Sequence, residues 1–282
     1  PSKILIRVAQ LAQQQRNNPF AGLENRKPIL SRRLLAKQQV KRVDELRAAK
    51  YQNILENNSA LTLIKGHASF KNAHTLIINK SDGCEELIAD RFLLATGSTP
   101  TIPPIDGLDE TPYWTSRQAL FSETTPEHLI VIGSSVVALE IAQAYCRLGS
   151  KVTLLARHTL LYKEDPLLGE QLEKSFEKEG ICVLSHTQAN KISFAGRKFN
   201  LETNQGLLSS DKLLVSTGRN ANTGELNLDL AGVDIENNGC IKVNAKMETS
   251  VSHIYAAGDC SDMPQFVYVA AAAGSRAGIN MT

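Results

Sequence analysis

Several features that mark other classes of protein are missing from this sequence. Its five cysteines include no C-x-x-C pair, and no cysteine–histidine cluster has zinc-site spacing. No apolar run has the length of a transmembrane helix, and no basic start leads into an apolar signal-peptide core. The net charge of +2 is too small to indicate nucleic acid or a membrane surface. These absences predict a cytoplasmic protein with reduced, mostly buried thiols.

The composition is that of an ordinary globular protein. The 282 residues suggest two domains, and an apolar fraction of 42% is enough for buried cores. The sequence begins with Pro1 rather than Met, and both ends lie within helical patterns. We therefore expect the chain to be an interior piece of a longer gene product.

Apolar spacing predicts helices over Lys3–Gln15 and, with Ser31 as N-cap, over Ser31–Glu56. In the second of these, a buried stripe is predicted, made of Leu35, Val43, Leu46 and Ile54. Short strands are predicted near Leu61–Gly66 and Thr75–Ile78.

A βαβ unit is the clearest pattern in the second half. Leu129–Ile132 is a continuous apolar run typical of a parallel strand, and Gly133 ends it. A helix follows over Val136–Arg147 and a second strand over Lys151–Leu155. Further helices and strands alternate to about residue 218, which predicts an α/β fold.

The turn of this unit resembles a dinucleotide fingerprint. The usual motif is G-x-G-x-x-G, and here it reads Gly133-Ser134-Ser135-Val136-Val137-Ala138. Serine and alanine replace two glycines, but both are small, so a pyrophosphate can still approach the helix N-terminus. The alternative is a βαβ crossover that binds no ligand.

The end of the second strand indicates which nucleotide binds. NAD sites place a carboxylate there, whereas this sequence has Arg157 and His158, with Lys163 close behind. A guanidinium suits a 2′-phosphate because its donor fork binds two oxygens. We therefore predict NADPH. The alternative is that Arg157 and Lys163 are ordinary solvated charges.

The segment Thr249–Cys260, a strand that leads into Gly258-Asp259, resembles the second FAD motif of the pyridine nucleotide–disulfide oxidoreductase family. In that family the aspartate accepts a hydrogen bond from the flavin's ribityl chain, a role that the resemblance gives to Asp259. Cys260 is expected to be structural. The runs that end at Gly97 and Gly218 look like the same motif, a strand followed by a glycine turn, occurring once in each nucleotide-binding unit.

Pro1-Ser2-Lys3 resembles the residues that follow the family's redox-active cysteine pair. The resemblance implies that Lys3 lies near flavin N5 and pairs with Glu140. By spacing alone, both are surface residues.

Other segments resemble the members of this family that reduce Hg(II). They are Tyr113–Ser116, Val131–Gln143, Pro264–Gly274 and Ala48–Tyr51. The resemblance implies a metal-binding and catalytic role for Tyr51, for which the alternative is a packed tyrosine. It also implies cofactor contacts from Gln265, Phe266 and Val267.

The resemblance covers the chain and implies an α/β fold of two nested Rossmann-like domains, three-layer ββα in type and truncated at both ends. FAD-binding residues 1–110 and 248–282 are expected to flank an NADPH-binding domain at residues 111–247. The implied function is mercury(II) reduction with FAD and NADPH, in a homodimer, as part of mercury resistance. The cysteine pair is expected just upstream. The alternatives are another FAD-dependent disulfide reductase, such as dihydrolipoamide dehydrogenase, or an inert nucleotide-binding fragment.

Overall fold

A computed structural model describes residues 2–282, so Pro1, quoted above for its resemblance, lies outside the described residues. The chain forms two compact units, each made of two segments. Unit 1 contains the residues up to Asn58 together with Pro100–Gly218, and unit 2 contains Ser59–Thr99 and Arg219–Thr282.

The α-helices are α1 (Ser2–Arg16), α2 (Arg32–Arg47), α3 (Asn53–Glu56), α4 (Ser116–Phe121), α5 (Val136–Arg147), α6 (Pro166–Glu179) and α7 (Val267–Met281). The strands are β1 (His67–Asn72), β2 (Thr75–Lys80), β3 (Gly83–Ile88), β4 (Phe92–Leu94), β5 (Ser98–Pro100), β6 (His128–Ile132), β7 (Lys151–Leu155), β8 (Cys182–Leu184), β9 (Ala189–Ala195), β10 (Lys198–Thr203), β11 (Gly206–Ser210), β12 (Lys212–Val215), β13 (Arg219–Ala221) and β14 (Ile254–Ala256).

A four-stranded parallel sheet in the order β12-β6-β7-β8 is the centre of unit 1. Ile132, the last residue of β6, is in register with Val215 of β12 and Leu155 of β7. Four of the five residues of β6 are buried, as expected of a strand covered on both faces.

Helices α1 and α5 pack together on this sheet. Leu5, Ala9 and Ala12 lie on one face of α1 and are buried in the same core as Ile141 and Tyr145 of α5. Two of these α1 residues, Ala9 and Ala12, are small.

The other core of unit 1 lies between the parallel sheet and an antiparallel sheet, β11-β10-β9. Phe199 and Leu201 alternate along β10 on its buried face. They pack in one cluster with Ile130 and Leu213 of the parallel sheet.

Unit 2 has an antiparallel sheet, β1-β2-β3, and a parallel pair, β4 and β14, with Ala256 opposite Leu94. Strand β13 pairs with β5. Phe70 of β1 meets Phe92 of β4 edge to face, with ring centroids 5.3 Å apart, in the unit's main core.

The α/β class with parallel and antiparallel sheets is confirmed. The predicted FAD and NADPH domains are defined by the cofactor that each binds, whereas the compact units are defined by packing. The predicted boundaries at residues 110/111 and 247/248 therefore stay a prediction.

Two local predictions are wrong. Residues Leu61–Gly66 are irregular, and the first strand begins at His67. Ser31 does cap α2 by accepting a hydrogen bond from the Leu34 backbone N–H, but the predicted stripe is not buried. Leu46 is 42% and Ile54 is 55% exposed. Polar contacts through Arg32 and Gln39 hold α2 instead.

Within residues 2–282, no helix is both long and apolar enough to cross a membrane.

Candidate functional site

The turn after β6 requires glycine. Gly133 has a φ of +131°, and a Cβ atom there would collide with the backbone carbonyl oxygen of Ser216. Its N–H donates to the carbonyl of Leu155, at a distance of 3.0 Å. The close approach of the β12 end therefore keeps this turn without a side chain, as a phosphate-binding turn needs.

The N-terminus of α5 is open to solvent. Ser135 is its N-cap residue in extended conformation, and the Ser135 hydroxyl donates to the Ser216 carbonyl at 3.4 Å. Val136 is 59% and Val137 is 43% exposed, while Ala138 is fully buried. Since first-turn N–H groups have no partner within a helix, they are accessible here to an anion.

Positive side chains cluster where β7 ends. Arg157, His158 and Lys163 are all exposed on the loop between β7 and α6. The nearby carboxylate of Asp165 accepts a hydrogen bond from the Leu167 N–H as the N-cap of α6. The structure thus places the three predicted residues on one exposed loop, and their role in binding stays a prediction.

Tyr162 belongs to this cluster, although the sequence reasoning missed it. Its ring lies 4.8 Å from the His158 ring, centroid to centroid, and Lys163 Nζ lies 5.8 Å from its ring centroid. An aromatic residue beside basic residues could have indicated this contact.

In unit 2, Asp259 is held by two side chains that are distant in sequence. The Ser98 hydroxyl donates to Asp259 Oδ2 at 2.8 Å, and Arg219 Nε lies 3.8 Å from the same oxygen. Arg219 also donates to the hydroxyl and the carbonyl of Ser98, at 2.7 and 2.6 Å. Because Ser98 and Asp259 are 161 residues apart, no local pattern could have revealed this triad.

Three glycines that the sequence motifs contain follow parallel strands, and each has a φ in the left-handed region. Gly97 follows β4 with a φ of +69°, Gly218 follows β12 at +136°, and Gly258 follows β14 at +85°. Each turn lets the chain leave the sheet sharply beside a predicted cofactor residue. Their roles in cofactor binding stay predictions.

Lys3 and Glu140 form the expected ion pair, with 3.5 Å between Lys3 Nζ and a Glu140 carboxylate oxygen. The pair is solvated, because the Lys3 side chain is 86% and the Glu140 side chain 35% exposed. Their place beside a flavin stays a prediction.

Tyr51 lies on a π-helical turn, Ala48–Gln52, that continues α2, and it is 65% exposed. In the described part of the chain, no three His, Cys, Asp or Glu side chains are grouped to hold a metal ion. The role of Tyr51 toward a metal therefore stays a prediction too.

Residues Gln265, Phe266 and Val267 lie at the start of α7 and are exposed. Phe266 is the N-cap residue, and its ring stacks on that of Tyr268 with centroids 5.3 Å apart. This edge of unit 2 presents apolar surface to solvent.

The cysteines are unpaired in the structure, but they are not mostly buried as predicted. Cys84 and Cys182 are exposed, and only Cys260 is fully buried, with its thiol 3.4 Å from the Leu94 carbonyl. Burial raises the pKa of Cys146 and of Cys240, which keeps these thiols protonated.

A family model described as pyridine nucleotide-disulphide oxidoreductase matches residues 9–274. A relative from Shewanella putrefaciens named mercuric reductase is 71% identical over the whole chain, which covers 51% of that relative. Another of that name, from Acidithiobacillus ferrooxidans, is 54% identical, and the chain covers 52% of it. The chain thus spans about half the length of these relatives.

Among solved structures, the HOCl-induced flavoprotein disulfide reductase RclA from Escherichia coli superposes with a TM-score of 0.84 at 25% identity. The match covers 96% of this chain and 58% of the other.

Proposed function

Because this chain belongs to the pyridine nucleotide-disulphide oxidoreductase family, we propose that it is part of an NADPH-dependent flavoprotein that reduces Hg(II) to Hg(0) and thereby confers mercury resistance. The observation that carries the proposal is the 71% identity, over the whole chain, to a relative named mercuric reductase.

The residues of unit 1 fit a dinucleotide phosphate. Gly133 leaves the turn without a side chain, Val136 and Val137 in the first turn of α5 are exposed, and Arg157 and Lys163 add positive charge at the end of β7. In the proposal, Ser134 to Val137 bind the pyrophosphate through the backbone. Arg157, with His158 and Lys163, binds the 2′-phosphate, which favours NADPH over NADH.

The residues of unit 2 fit a flavin's polyol chain. Asp259 is 29% exposed in its side chain and is oriented by Ser98 and Arg219, so one carboxylate oxygen can still accept a hydroxyl. In the proposal, Gly97, Gly218 and the Gln265–Val267 segment complete the cofactor contacts.

When bound, NADPH and FAD supply the two electrons that the reduction of Hg(II) requires. Soft Hg(II) prefers thiolate ligands. In the proposal, which follows the resemblance here, these ligands are a cysteine pair just upstream of Pro1. Lys3, paired with Glu140, would place a positive charge near flavin N5, and Tyr51 would approach the metal.

The homodimer and the cytoplasmic location are further parts of this proposal. The homodimer rests on the resemblance, since family active sites borrow groups from the partner's C-terminal domain.

The experiment is an assay of the full-length protein that contains this chain. NADPH oxidation should depend on Hg(II) and should release volatile Hg(0). If Hg(II) fails to stimulate NADPH oxidation while a small disulfide is reduced, the mercury assignment is wrong.

That outcome would support the second candidate, a disulfide reductase acting on lipoamide or another small disulfide. Its specific support is the TM-score of 0.84 to a flavoprotein disulfide reductase. A third possibility, an inert nucleotide-binding fragment, concerns the 282-residue chain by itself. Titration with FAD tests it, because tight stoichiometric flavin binding would contradict it.

A further inference from the structure

The loop between β7 and α6 contains a strained residue. Leu161 has a φ of +51°, a left-handed conformation that is unfavourable for a non-glycine residue. Two hydrogen bonds hold it there: its N–H donates to the Ser134 carbonyl at 3.4 Å, and its carbonyl accepts from the Glu164 N–H at 2.7 Å. The loop is thus fastened to the phosphate-binding turn itself.

The reversal at Leu161 returns the chain toward the end of β7. It places the Tyr162 ring against the His158 ring, with centroids 4.8 Å apart and planes inclined at 41°. Lys163 Nζ lies 5.8 Å from the centroid of the same ring. The Tyr162 ring is therefore in contact with His158, which precedes the reversal at Leu161, and with Lys163, which follows it.

This contact is not explained by core packing. Tyr162 is 54% exposed, whereas its neighbour Leu160 is 1% exposed and supplies the loop's apolar anchor. A large ring left in water at the cost of backbone strain points to a role at the surface.

We propose that Tyr162 is a positioning residue that determines nucleotide specificity. Its ring holds the His158 imidazole and the Lys163 ammonium together, so that both face the phosphate that Arg157 binds. The class of ligand is a nucleotide with a phosphate on its adenosine ribose. This inference rests on the proposed function, since it assumes that the 2′-phosphate lies at the end of β7.

The physical basis is the negative face of the aromatic ring. A lysine ammonium within about 6 Å of a ring centroid is attracted to the face of the ring. Without the ring, Lys163 regains the freedom of a long exposed side chain, and binding must then order it. The affinity that is lost therefore belongs to the contact with the phosphate and not to the contact with the adenosine.

The test measures, by calorimetry, the affinity of the full-length protein that contains this chain for 2′,5′-ADP and for 5′-AMP. Tyr162→Leu should weaken 2′,5′-ADP binding about 2- to 5-fold and leave 5′-AMP binding unchanged within about 1.5-fold. Tyr162→Phe keeps the ring and should restore 2′,5′-ADP affinity to within about 1.5-fold. Lys163→Ala removes the ammonium that contacts the ring. Its matched control is Lys174→Ala, which removes an exposed lysine of α6.

A double-mutant cycle separates positioning from folding. If the ring acts through Lys163, the effects of Tyr162→Leu and Lys163→Ala will sum to more than the effect of the double variant. Equal weakening of both nucleotides by Tyr162→Leu, or additive effects in the cycle, would overturn the inference.

Arg157→Glu keeps the two proposals distinguishable. If Arg157→Glu weakens 2′,5′-ADP and 5′-AMP equally, the NADPH assignment itself is wrong. If Arg157→Glu weakens 2′,5′-ADP more than 5′-AMP and Tyr162→Leu does not, only the role of Tyr162 is wrong.

Discussion

Gly133 shows how one residue fixes the geometry of a candidate site. Its positive φ and the proximity of the Ser216 carbonyl both exclude a side chain, and these are independent constraints. The fingerprint's other two glycine positions hold Ser135 and Ala138, whose side chains are small.

Gly133→Ala should destabilise unit 1 by at least about 2 kcal/mol, because the new Cβ meets backbone that cannot move aside. Thermal unfolding measures the effect, and 2′,5′-ADP affinity should fall with it. Gly278→Ala on α7, where the added Cβ meets open space, is the control and should stabilise by up to about 1 kcal/mol. Equal melting temperatures for wild type and Gly133→Ala would contradict the prediction.

His128 gives a pH dependence whose sign can be worked out. Burial lowers its pKa, with a further lowering from Lys151, against the opposing effects of the Ser209 backbone and Asp211. Its stabilising contribution is therefore present above the unfolded pKa of about 6.5 and is lost as the pH falls through the lower folded pKa.

The free energy of unfolding, measured in urea from pH 7.5 to about 5, should fall less in His128→Gln than in wild type. Glutamine stays neutral and can keep a hydrogen bond to Thr153 Oγ1, which lies 2.9 Å from His128 Nε2. The same fall in both proteins would rule out His128 as its source.

At the scale of elements, helix α2 is held by polar contacts at one end. Arg32 Nη2 and Gln39 Nε2 both donate to the Leu120 carbonyl near the end of α4, at 2.6 and 3.0 Å. Among the residues the structure describes, Arg32 Nε and Nη1 have no hydrogen-bond acceptor, although Arg32 is only 4% exposed. The buried guanidinium lies beside Tyr145. Burial raises the pKa of Tyr145, and the charge of Arg32 opposes that rise.

Arg32→Met should raise the free energy of unfolding by about 1 kcal/mol, since an apolar side chain of similar length replaces a buried charge with unpaired donors. Gln39→Leu should lower the free energy of unfolding by about 1 kcal/mol, because a hydrogen bond is lost and no buried charge with unpaired donors is removed. Urea unfolding compares the two. Strong destabilisation by Arg32→Met would mean that its guanidinium is fully satisfied in solution.

At the scale of the whole molecule, each unit combines two distant segments around its own cores. The proposed nucleotide residues lie in unit 1, and the Ser98–Arg219–Asp259 triad lies in unit 2. The two clusters therefore lie in different units.

This division predicts separable effects. In a full-length protein, Asp259→Asn should weaken FAD at least about 5-fold, because a neutral amide accepts a hydroxyl less strongly than a carboxylate. It should leave 2′,5′-ADP affinity within about 2-fold, and Arg157→Glu should do the reverse. Flavin fluorescence and calorimetry measure the two affinities. Loss of both ligands in either variant would contradict the assignment of one site to each unit.

The sequence alone determined what depends on neighbouring residues. The apolar run of β6, the glycine that ends it, helix α5 over Val136–Arg147 and the α/β class were all predicted, because periodicity and backbone conformation are local properties. The resemblance to a family also came from contiguous motifs. The predicted strand at residues 61–66 was wrong because apolar residues favour a strand only where a partner strand pairs with them.

Tertiary structure decided what depends on residues far apart in the chain. It brought Ser98 and Arg219 to Asp259, turned Tyr162 back onto His158, and replaced the predicted apolar stripe of α2 with contacts from Arg32 and Gln39. It also left two cysteines exposed, where composition had indicated buried thiols. Burial and long-range hydrogen bonds are set by how whole elements pack, and no spacing along the chain records that packing.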